Sequence, residues 1–568
     1  MKSQEHINDV IVDPWSYLGF KEAFKDRRND RAEYAPTWVT DYQDRRRLTA
    51  YTVLEAYFKN MSKVWLRASD DEKDTRREYG DPYLLVEQIV ASILGETFEI
   101  QVAGAAEPVQ DRLESQESEP SPTPEYEALV ALQEWAKKEK FANKVVLSET
   151  NAVKLGDSVI VLGWHERKSR VRMEVWNPGF FFPVQSDDGA DDDGFEEEFP
   201  SRVHLAYEFD RPFGDQRKRY VRRITYWLEG TVEDPSAVQC WMSDGEWAIN
   251  EGNRDFGVYD LEESKGVFRV RNLPLGIDFI PVVHLPNTQD DGSFWGVSSL
   301  APILQIVDDL QATDTDLQAA SAIVGTPPIA VSGLQATGRD QDVYGPGTVW
   351  NLGDGRMSTL DTSDGLKELV NYKNELLERL SVNSRVPESV LGRVKPSDVP
   401  SGIALWLSFA PHSAMINNAR RIRKYDLVLE FVQKFMVANG DENISGVVEA
   451  YLDYGSYLPA DKMETLKMVV EGLNAKIPPI SVETAVEMLV QAGVPVGDAQ
   501  NEVRLIEKRL YAQAVDLGEA TKDVNAARRL LGLPDMSQED ITEMVTSTQP
   551  QSQLPVAQNQ SQSDAPQQ

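Results

Sequence analysis

Two long amphipathic helical patterns bracket a short glycine-rich stretch in the middle of the 568-residue chain. The first covers residues 298–324 with Pro302 in its first turn, and at 1.5 Å per residue it spans roughly 40 Å. The second covers residues 363–385, and the stretch between them has strand-like residues at 329–331 and 348–352. Neither helix has an obvious local partner except the other. The pattern therefore predicts a helix–β–helix module that is buried against neighbouring subunits.

The rest of the chain changes between helical and strand periodicity, which predicts an α+β fold. Before the module we expect helices at 45–58, 82–94 and 126–147, a hairpin of strands at 159–164 and 171–176, and strands at 203–209, 220–228 and 238–242. After it we expect a loop at 388–401, a very long helix at 402–438 kinked at Pro411, a strand at 447–454 and short helices within 461–544. Residues 547–568 are rich in Gln, Ser and Pro, a composition that favours disorder.

The charge balance limits how this protein can meet nucleic acid. The chain carries 92 acidic and 58 basic side chains, a formal net charge of −34. Affinity for phosphate comes mainly from Lys and Arg, so a protein of this composition should not hold DNA tightly. Cys240 is the single cysteine, which excludes an internal disulfide. Residues 1–15 lack the apolar core of a secretory signal, and no apolar run approaches the ~18 residues of a membrane span. We therefore expect a protein made in a cytoplasm, with no membrane contact.

The motifs of common enzyme classes are missing from the sequence. It contains no Gly-Lys dipeptide for a phosphate-binding loop, and residues 156–160 lack the second glycine of a serine nucleophile elbow. The five histidines are scattered, which argues against a zinc site. The acidic run 187–198 partly matches a calcium loop but would begin at Gly189 and close at Pro200, so we interpret it as a solvated loop. No carboxylate pair is singled out for glycoside hydrolysis. We expect no enzyme, no cofactor and no metal.

Three basic clusters could contact phosphates. They are Arg45–Arg47, the run 217–219 with Arg222 and Arg223, and the residues Arg420, Arg421, Arg423 and Lys424. Because the chain has a large acidic excess, the interpretation that we favour is salt bridging on faces of the subunit or at subunit contacts.

Several short segments follow one another in an order that resembles the portal proteins of long-tailed bacteriophages. The run Val175-Trp176-Asn177-Pro178 through Pro183 is similar to the turn in the wing domain that ends in a Phe-Pro pair. Residues 291–300 and 306–310 are similar to the entry into the first stem helix. The segments at 386–392 and 401–405 resemble the flanks of the tunnel loop, and those at 458–472 and 480–485 resemble the crown.

The resemblance implies a portal fold of the α+β class with a wing, a two-helix stem, a small β clip, a tunnel loop and a helical crown. The implied parts are an N-terminal helical part of the wing with an acidic linker (1–124), an α+β wing (125–286), a first stem helix (287–324), a clip (325–362), a second stem helix (363–386), a tunnel loop (387–401), a long helix and wing strand (402–458), a helical crown (459–546) and a disordered tail (547–568).

The resemblance also implies a function and a set of partners. Such subunits form a homo-oligomeric ring of about twelve copies with cyclic symmetry. The ring occupies one capsid vertex of the virion, and double-stranded DNA passes through it during packaging and ejection. Its implied partners are the terminase large subunit, the major capsid and scaffolding proteins, and head-completion or adaptor proteins, with assembly in the host cytoplasm.

The site residues implied by this picture lie in the stem, the tunnel loop and the clip. A conduit must let a polyanion slide, so carboxylates on a channel helix that repel phosphates are physically sensible. The expected DNA-channel residues are Asp308, Asp309, Asp314 and Asp316 on the stem and Lys395, Ser397 and Asp398 in the tunnel loop. The expected terminase or adaptor docking residues in the clip are Thr326, Gln335, Arg339, Asp342, Tyr344 and Arg356.

Two other functions remain compatible with the sequence. Another phage head–tail or tail structural protein would share the acidic, motif-poor composition but should lack the helix–clip–helix order. An acidic carbohydrate-active enzyme should show turnover and a cleft with a carboxylate pair.

Overall fold

The structure is a computed structural model in which the chain forms two compact units, residues 1–457 and residues 458–568. It describes residues 38–62, 76–105, 123–184, 200–213, 216–229, 238–249, 258–259, 266–289, 294–325, 329–332, 356–359, 363–392, 402–440, 444–457, 462–473, 481–491, 499–521 and 524–530. The acidic run 187–198 and the tail 547–568 lie outside the described residues.

The first unit mixes helices and sheets, which confirms the predicted α+β class. Its helices are α1 (Tyr42–Phe58), α2 (Asp81–Leu94), α3 (Pro124–Glu139), α4 (Phe141–Leu155), α5 (Leu304–Gly325), α6 (Ser363–Ser384), α7 (Gly402–Ile422) and α8 (Tyr425–Ala438). Its strands are β1 (Phe98–Val102), β2 (Asp157–His165), β3 (Arg170–Trp176), β4 (Phe181–Val184), β5 (Arg202–Phe213), β6 (Gln216–Glu229), β7 (Gln239–Ala248), β8 (Val267–Pro274), β9 (Val282–Pro286), β10 (Ile329–Ser332), β11 (Arg356–Thr359) and β12 (Ala450–Tyr454).

The described strands form four antiparallel sheets. A three-stranded sheet has the order β3-β2-β9 and a five-stranded sheet the order β4-β5-β6-β7-β8. Two further pairs join β1 to β12 and β10 to β11. The hairpin of β2 and β3 and the strands β5, β6 and β7 confirm the predicted strands. β1, β8 and β9 were not predicted, and β1 finds its partner only across the whole first unit, because Ile100 pairs with Leu452.

A close backbone crossing anchors the segment that leads to α5. Gly156 ends α4 with a φ of 100°, and its carbonyl accepts a 2.7 Å hydrogen bond from the Asn287 N–H. A Cβ at Gly156 would lie 2.5 Å from the Gly296 carbonyl oxygen, and a Cβ at Gly296 would lie 2.1 Å from the Gly156 carbonyl oxygen. Only glycine at both positions permits this approach, since the backbone itself occupies the space of a side chain.

The predicted long helix at 402–438 is two helices, with the break at Arg423 and Pro411 inside the first of them. Proline removes one internal hydrogen bond, yet α7 continues through it and ends at Ile422. The break comes at Arg423, whose guanidinium turns inward and binds both carboxylate oxygens of Glu149 at 2.9 Å. It also donates to the carbonyls of Pro286 and Asn287 at 2.8 and 3.0 Å. The residue that makes these contacts therefore lies at the interruption between α7 and α8.

The predicted helix at 126–147 is also divided. Lys140 has a φ of 56° in the left-handed region and separates α3 from α4. No glycine or proline marks this position, so the sequence carries no local signal for the break. The strand predicted at 348–352 lies outside the described residues, and the strand that pairs with β10 is β11, Arg356–Thr359.

Most of the described arginines of the basic clusters have partners inside the chain. Arg47 pairs with Asp44 at 2.7 Å and lies 3.9 Å over the Trp295 ring. Arg222 and Asp244 form a buried ion pair with contacts of 2.6 and 2.8 Å. Arg420 donates to three backbone carbonyls, those of Ile93, Ser92 and Gly455. These side chains fill internal roles, which agrees with the structural interpretation of the clusters rather than with phosphate contacts.

The second unit is helical in its described parts. It contains α9 (Lys462–Leu473), α10 (Val482–Gln491), α11 (Ala499–Thr521) and α12 (Val524–Leu530). Its buried apolar residues include Val469, Val486 and Ala514. Many larger apolar side chains are exposed in the described part of this unit, and they are Leu466, Met468, Val470, Leu473, Val490, Leu505, Leu510, Tyr511, Leu517 and Leu530.

None of the described helices combines the length and the apolar character that a membrane crossing requires. Within the described ranges, the side chains of His, Cys, Asp and Glu nowhere gather in a group of three that could hold a metal ion.

Replacement of Arg423 by Met should strongly destabilise the first unit. Glu149 is 1% exposed and would lose the cation that compensates its burial, a change that costs about 3–5 kcal/mol. The measurement is chemical unfolding followed by tryptophan fluorescence. Arg421→Met is the matched control, because Arg421 is exposed two residues earlier in the same cluster. The double variant Glu149→Gln with Arg423→Met should recover part of the loss, and equal stability of R423M and R421M would contradict the assignment.

Candidate functional site

The helices α5 and α6 form an antiparallel pair joined at one end by the hairpin of β10 and β11. Each helix has 22 residues and therefore extends roughly 33 Å. The two helices pack along each other, and the register of the hairpin places Ser332 opposite Arg356. The structure thus confirms the predicted order of helix, β module and helix. We call the pair α5–α6 the stem.

Apolar side chains hold the stem together, with one buried ion pair farther along. Val307 and Leu310 of α5 and Leu376 and Leu380 of α6 are buried. Beyond this layer, Lys373 of α6 forms an ion pair with Asp314 of α5, whose side chain is 8% exposed. The ion pair fixes the register of the two helices, because each charge loses water and must meet the other.

The N-terminal part of the chain covers a second side of α5. The Tyr57 hydroxyl donates to the Asp308 carboxylate at 2.8 Å, and Arg76 donates to the Asp308 backbone carbonyl at 2.5 Å. The Arg77 N–H donates to the Thr315 hydroxyl at 3.0 Å. Burial raises the pKa of the Asp308 carboxyl. The pKa of the Tyr57 hydroxyl is also raised, mainly by burial and to a lesser extent by the hydrogen bond to Asp308.

A third side of α5 is polar, acidic and built from small side chains. It consists of Gln305, Asp309, Ala312, Asp316 and Ala319, which recur at alternating spacings of four and three residues. All are half-buried or exposed, and α5 contains no Lys or Arg. This face presents negative charge that no cation of its own helix neutralises. We call it the acidic face of the stem.

The structure separates the four predicted stem aspartates into two groups. Asp308 and Asp314 are engaged inside the chain by Tyr57 and Lys373. Asp309 and Asp316 lie on the acidic face, where Asp309 accepts a 3.1 Å hydrogen bond from Gln305. A role in a DNA channel stays a prediction for all four, and the geometry favours the second group.

The other predicted site residues lie largely outside the described parts. Beyond them are Lys395, Ser397 and Asp398 of the expected tunnel loop and Thr326, Gln335, Arg339, Asp342 and Tyr344 of the expected clip. Arg356 begins β11, and only its backbone is described. Docking of partners at these residues stays a prediction.

Sequence reasoning missed three residues that position α5, namely Tyr57, Arg76 and Lys373. Tyr57 and Arg76 lie more than 230 residues before Asp308 in the chain. The local sequence pattern around them carries no information about so distant a partner. Lys373 could have been noticed as a cation on the buried side of α6, since it lies three residues before the buried Leu376.

A buried histidine connects the end of α6 to two other helices. His412 of α7 is fully buried, and burial lowers its pKa, so the ring is neutral at pH 7. Its Nδ1 lies 3.1 Å from the Arg385 carbonyl, which can only accept, so Nδ1 carries the proton. Its Nε2 then accepts from the Ser92 hydroxyl at 3.0 Å. The residue that follows α6 is thereby tied to α2 and α7.

No protein-family model matches the chain, and no curated protein matches it. Among solved structures, it is similar to a chain described as the neck of a native GTA particle computed with C12 symmetry. The identity is 11%, the match covers 80% of this chain and 95% of the other, and the TM-score is 0.36. The functional argument therefore rests on the geometry of the stem and on the sequence pattern.

Replacement of Lys373 by Met should loosen the stem. The buried Asp314 carboxylate would lose its charged partner, and we expect a loss of roughly 1–3 kcal/mol in the free energy of unfolding, measured by chemical denaturation. The matched control is Lys367→Met on the same helix, because the Lys367–Asp364 pair is exposed and such pairs contribute little. Equal effects of the two substitutions would show that the inner pair does not fix the stem.

Proposed function

We propose that this protein is a phage portal subunit, which forms a ring through which double-stranded DNA is packaged and ejected. The observation that carries the proposal is the stem, a pair of 22-residue helices joined by a β-hairpin, with an acidic face on α5. The α+β base, the stem and the helical C-terminal unit follow one another in the order that the portal resemblance implies.

The chemistry of the acidic face suits a conduit. A polyanion moves through a pore when the wall repels it weakly and offers no deep binding sites. α5 supplies two carboxylates and small side chains on this face, and it has no cation that could trap a phosphate. At physiological salt the Debye length is about 8 Å, so the repulsion acts only close to the wall.

Exposed apolar side chains support assembly with further copies. In the stem, Val370, Tyr372 and Val382 of α6 are 41%, 48% and 70% exposed. Large apolar side chains are also exposed on each helix in the described part of the second unit. A ring would cover the same apolar side chains on every copy, which is the support that they give to the proposal.

The proposal includes a location and partners. The ring would lie at one capsid vertex of the virion, among the capsid and scaffolding proteins. The terminase would dock at the β10–β11 end of the stem and would supply the ATP hydrolysis, since the portal has no catalytic role. Head-completion or adaptor proteins would replace the terminase after packaging.

Purified full-length protein should form closed rings. Negative-stain electron microscopy should show a central hole, and mass photometry should give a mass of about twelve subunits for a cyclic assembly. The stable presence of monomers or dimers alone, also with scaffolding protein added, would contradict the proposal.

Reversal of charge on the acidic face should make the rings bind DNA more tightly. Rings of Asp309→Lys with Asp316→Lys should bind a 30-base-pair duplex at least tenfold more tightly than wild-type rings at low salt, measured by fluorescence anisotropy, with the difference fading as salt rises. The matched control is Asp364→Lys with Glu368→Lys, which changes the net charge equally on exposed positions of α6. Equal binding by both variants would show that α5 does not line the channel.

A further inference from the structure

The C-terminal end of α3 and the turn between β2 and β3 meet at a buried seam. The indole N–H of Trp135 on α3 donates to the Val171 carbonyl on β3 at 2.8 Å. The Glu139 carboxylate, which is 6% exposed, accepts a hydrogen bond from the Met173 N–H at 3.3 Å. Arg170 pairs with the same carboxylate at 3.1 Å. These contacts hold the end of the helix and the turn side by side in one backbone arrangement.

Three exposed lysines lie on the two sides of this seam. Lys137 and Lys140 are at the end of α3, and Lys168 is on the turn between β2 and β3. Within the described part of the chain, these three side chains form no ion pair and donate no hydrogen bond. We call the three lysines the seam patch.

The carboxylates around the seam do not neutralise the seam patch. Residues 134–144 and 166–170 hold seven cations and three carboxylates, an excess of four positive charges on a chain whose net charge is −34. Glu139 is buried and already serves two cations, Arg170 and Lys144. Glu134 pairs with Lys138 at 2.9 Å. The third carboxylate lies on the turn, next to an arginine. The positive excess is therefore carried by exposed lysines.

The stability of α3 accounts for only part of this charge. Cations in the last turn of a helix interact favourably with the negative end of its dipole, which is a sufficient reason for Lys137. The effect falls off within one turn of the helix. It does not account for Lys168, which lies across the seam on another element.

The kind of cation indicates the kind of partner. All three members of the seam patch are lysines, and lysine is depleted in interfaces between proteins. Lysine is a common ligand of phosphate, which it meets as a point charge without a fixed geometry. Duplex DNA carries one negative charge per roughly 1.7 Å of its axis, so it offers several phosphates to a small cluster of cations. At physiological salt the Debye length is about 8 Å, and the acidic groups elsewhere on the chain are screened beyond that distance.

We propose that the seam patch binds the phosphate backbone of duplex DNA, without preference for sequence, at a surface that is not part of the stem. The inference goes beyond the proposed function. There the acidic face of the stem lets DNA pass, whereas the seam patch holds a DNA segment on α3 and the β2–β3 turn. Contacts to phosphates carry no sequence information, so the binding is general for duplex DNA. Three such contacts give weak binding that falls as salt rises, which agrees with the acidic composition of the chain.

Neutralisation of the seam patch in the full-length protein tests the proposal. The variant carries Lys137→Gln, Lys140→Gln and Lys168→Gln, and binding of a labelled 30-base-pair duplex is followed by fluorescence anisotropy from low to high salt. We expect the Kd at low salt to rise at least about tenfold. The slope of log K against log salt should fall by about three, because each lost phosphate contact removes about one. A second duplex of unrelated sequence should give the same result.

The matched control removes the same charge elsewhere. It carries Lys467→Gln, Lys508→Gln and Arg509→Gln, three exposed positions of the second unit, and should bind DNA as the wild type does. The circular dichroism spectrum of the patch variant should be unchanged, since its three lysines make no contact that the fold needs. Lys168→Gln alone, on the turn, should lower the salt slope by about one and gives a reading that does not depend on α3.

The outcomes separate the seam patch from the proposed function. Equal DNA binding by the patch and control variants, or no binding by the wild type at low salt, overturns the seam patch and leaves the portal proposal standing. Binding that depends on the patch in a protein without rings supports the seam patch and contradicts the portal. Displacement of the duplex by polyglutamate at a lower concentration of charge than by unlabelled duplex overturns the inference, because it assigns the surface to an acidic protein.

Discussion

The buried ion pair between Arg423 and Glu149 is the interaction on which the arrangement of the first unit depends. Both side chains are almost fully removed from water, so each needs the other and every hydrogen bond around them. Tyr425 completes the set by donating to Glu149 at 2.9 Å, and Asn287 accepts from Arg423 through its side chain at 3.0 Å. A single guanidinium thereby joins α4, the turn between α7 and α8, and the segment that leads to the stem.

A second buried carboxylate fixes the same segment from the other side. Asp157 accepts hydrogen bonds from the Gly296 N–H at 2.8 Å and from His284 at 2.7 Å, and the Tyr51 hydroxyl donates to its other oxygen. His284 stacks on Phe294 with centroids 4.6 Å apart. The segment that leads to α5 is therefore fixed in position by buried polar groups. Any shift of the segment would leave one of these groups without a hydrogen-bond partner.

The distribution of charge connects these anchors to the proposed function. Cations of the described core lie inward, as for Arg222 and Arg423, where they meet carboxylates or carbonyls. Other carboxylates of the described residues lie at the surface, as Asp316 does on the acidic face of the stem.

The sequence by itself determined the α+β class, the two stem helices with the β module between them, and the strands β5 to β7, since periodicity and turn residues are local properties of the chain. It also placed four aspartates on α5. Only the tertiary structure decided which of them are engaged, because Tyr57 and Lys373 approach from elsewhere. It likewise decided that the long helix is interrupted at Arg423, and that β1 pairs with β12. Burial of a charge and pairing across hundreds of residues depend on partners that no local pattern records.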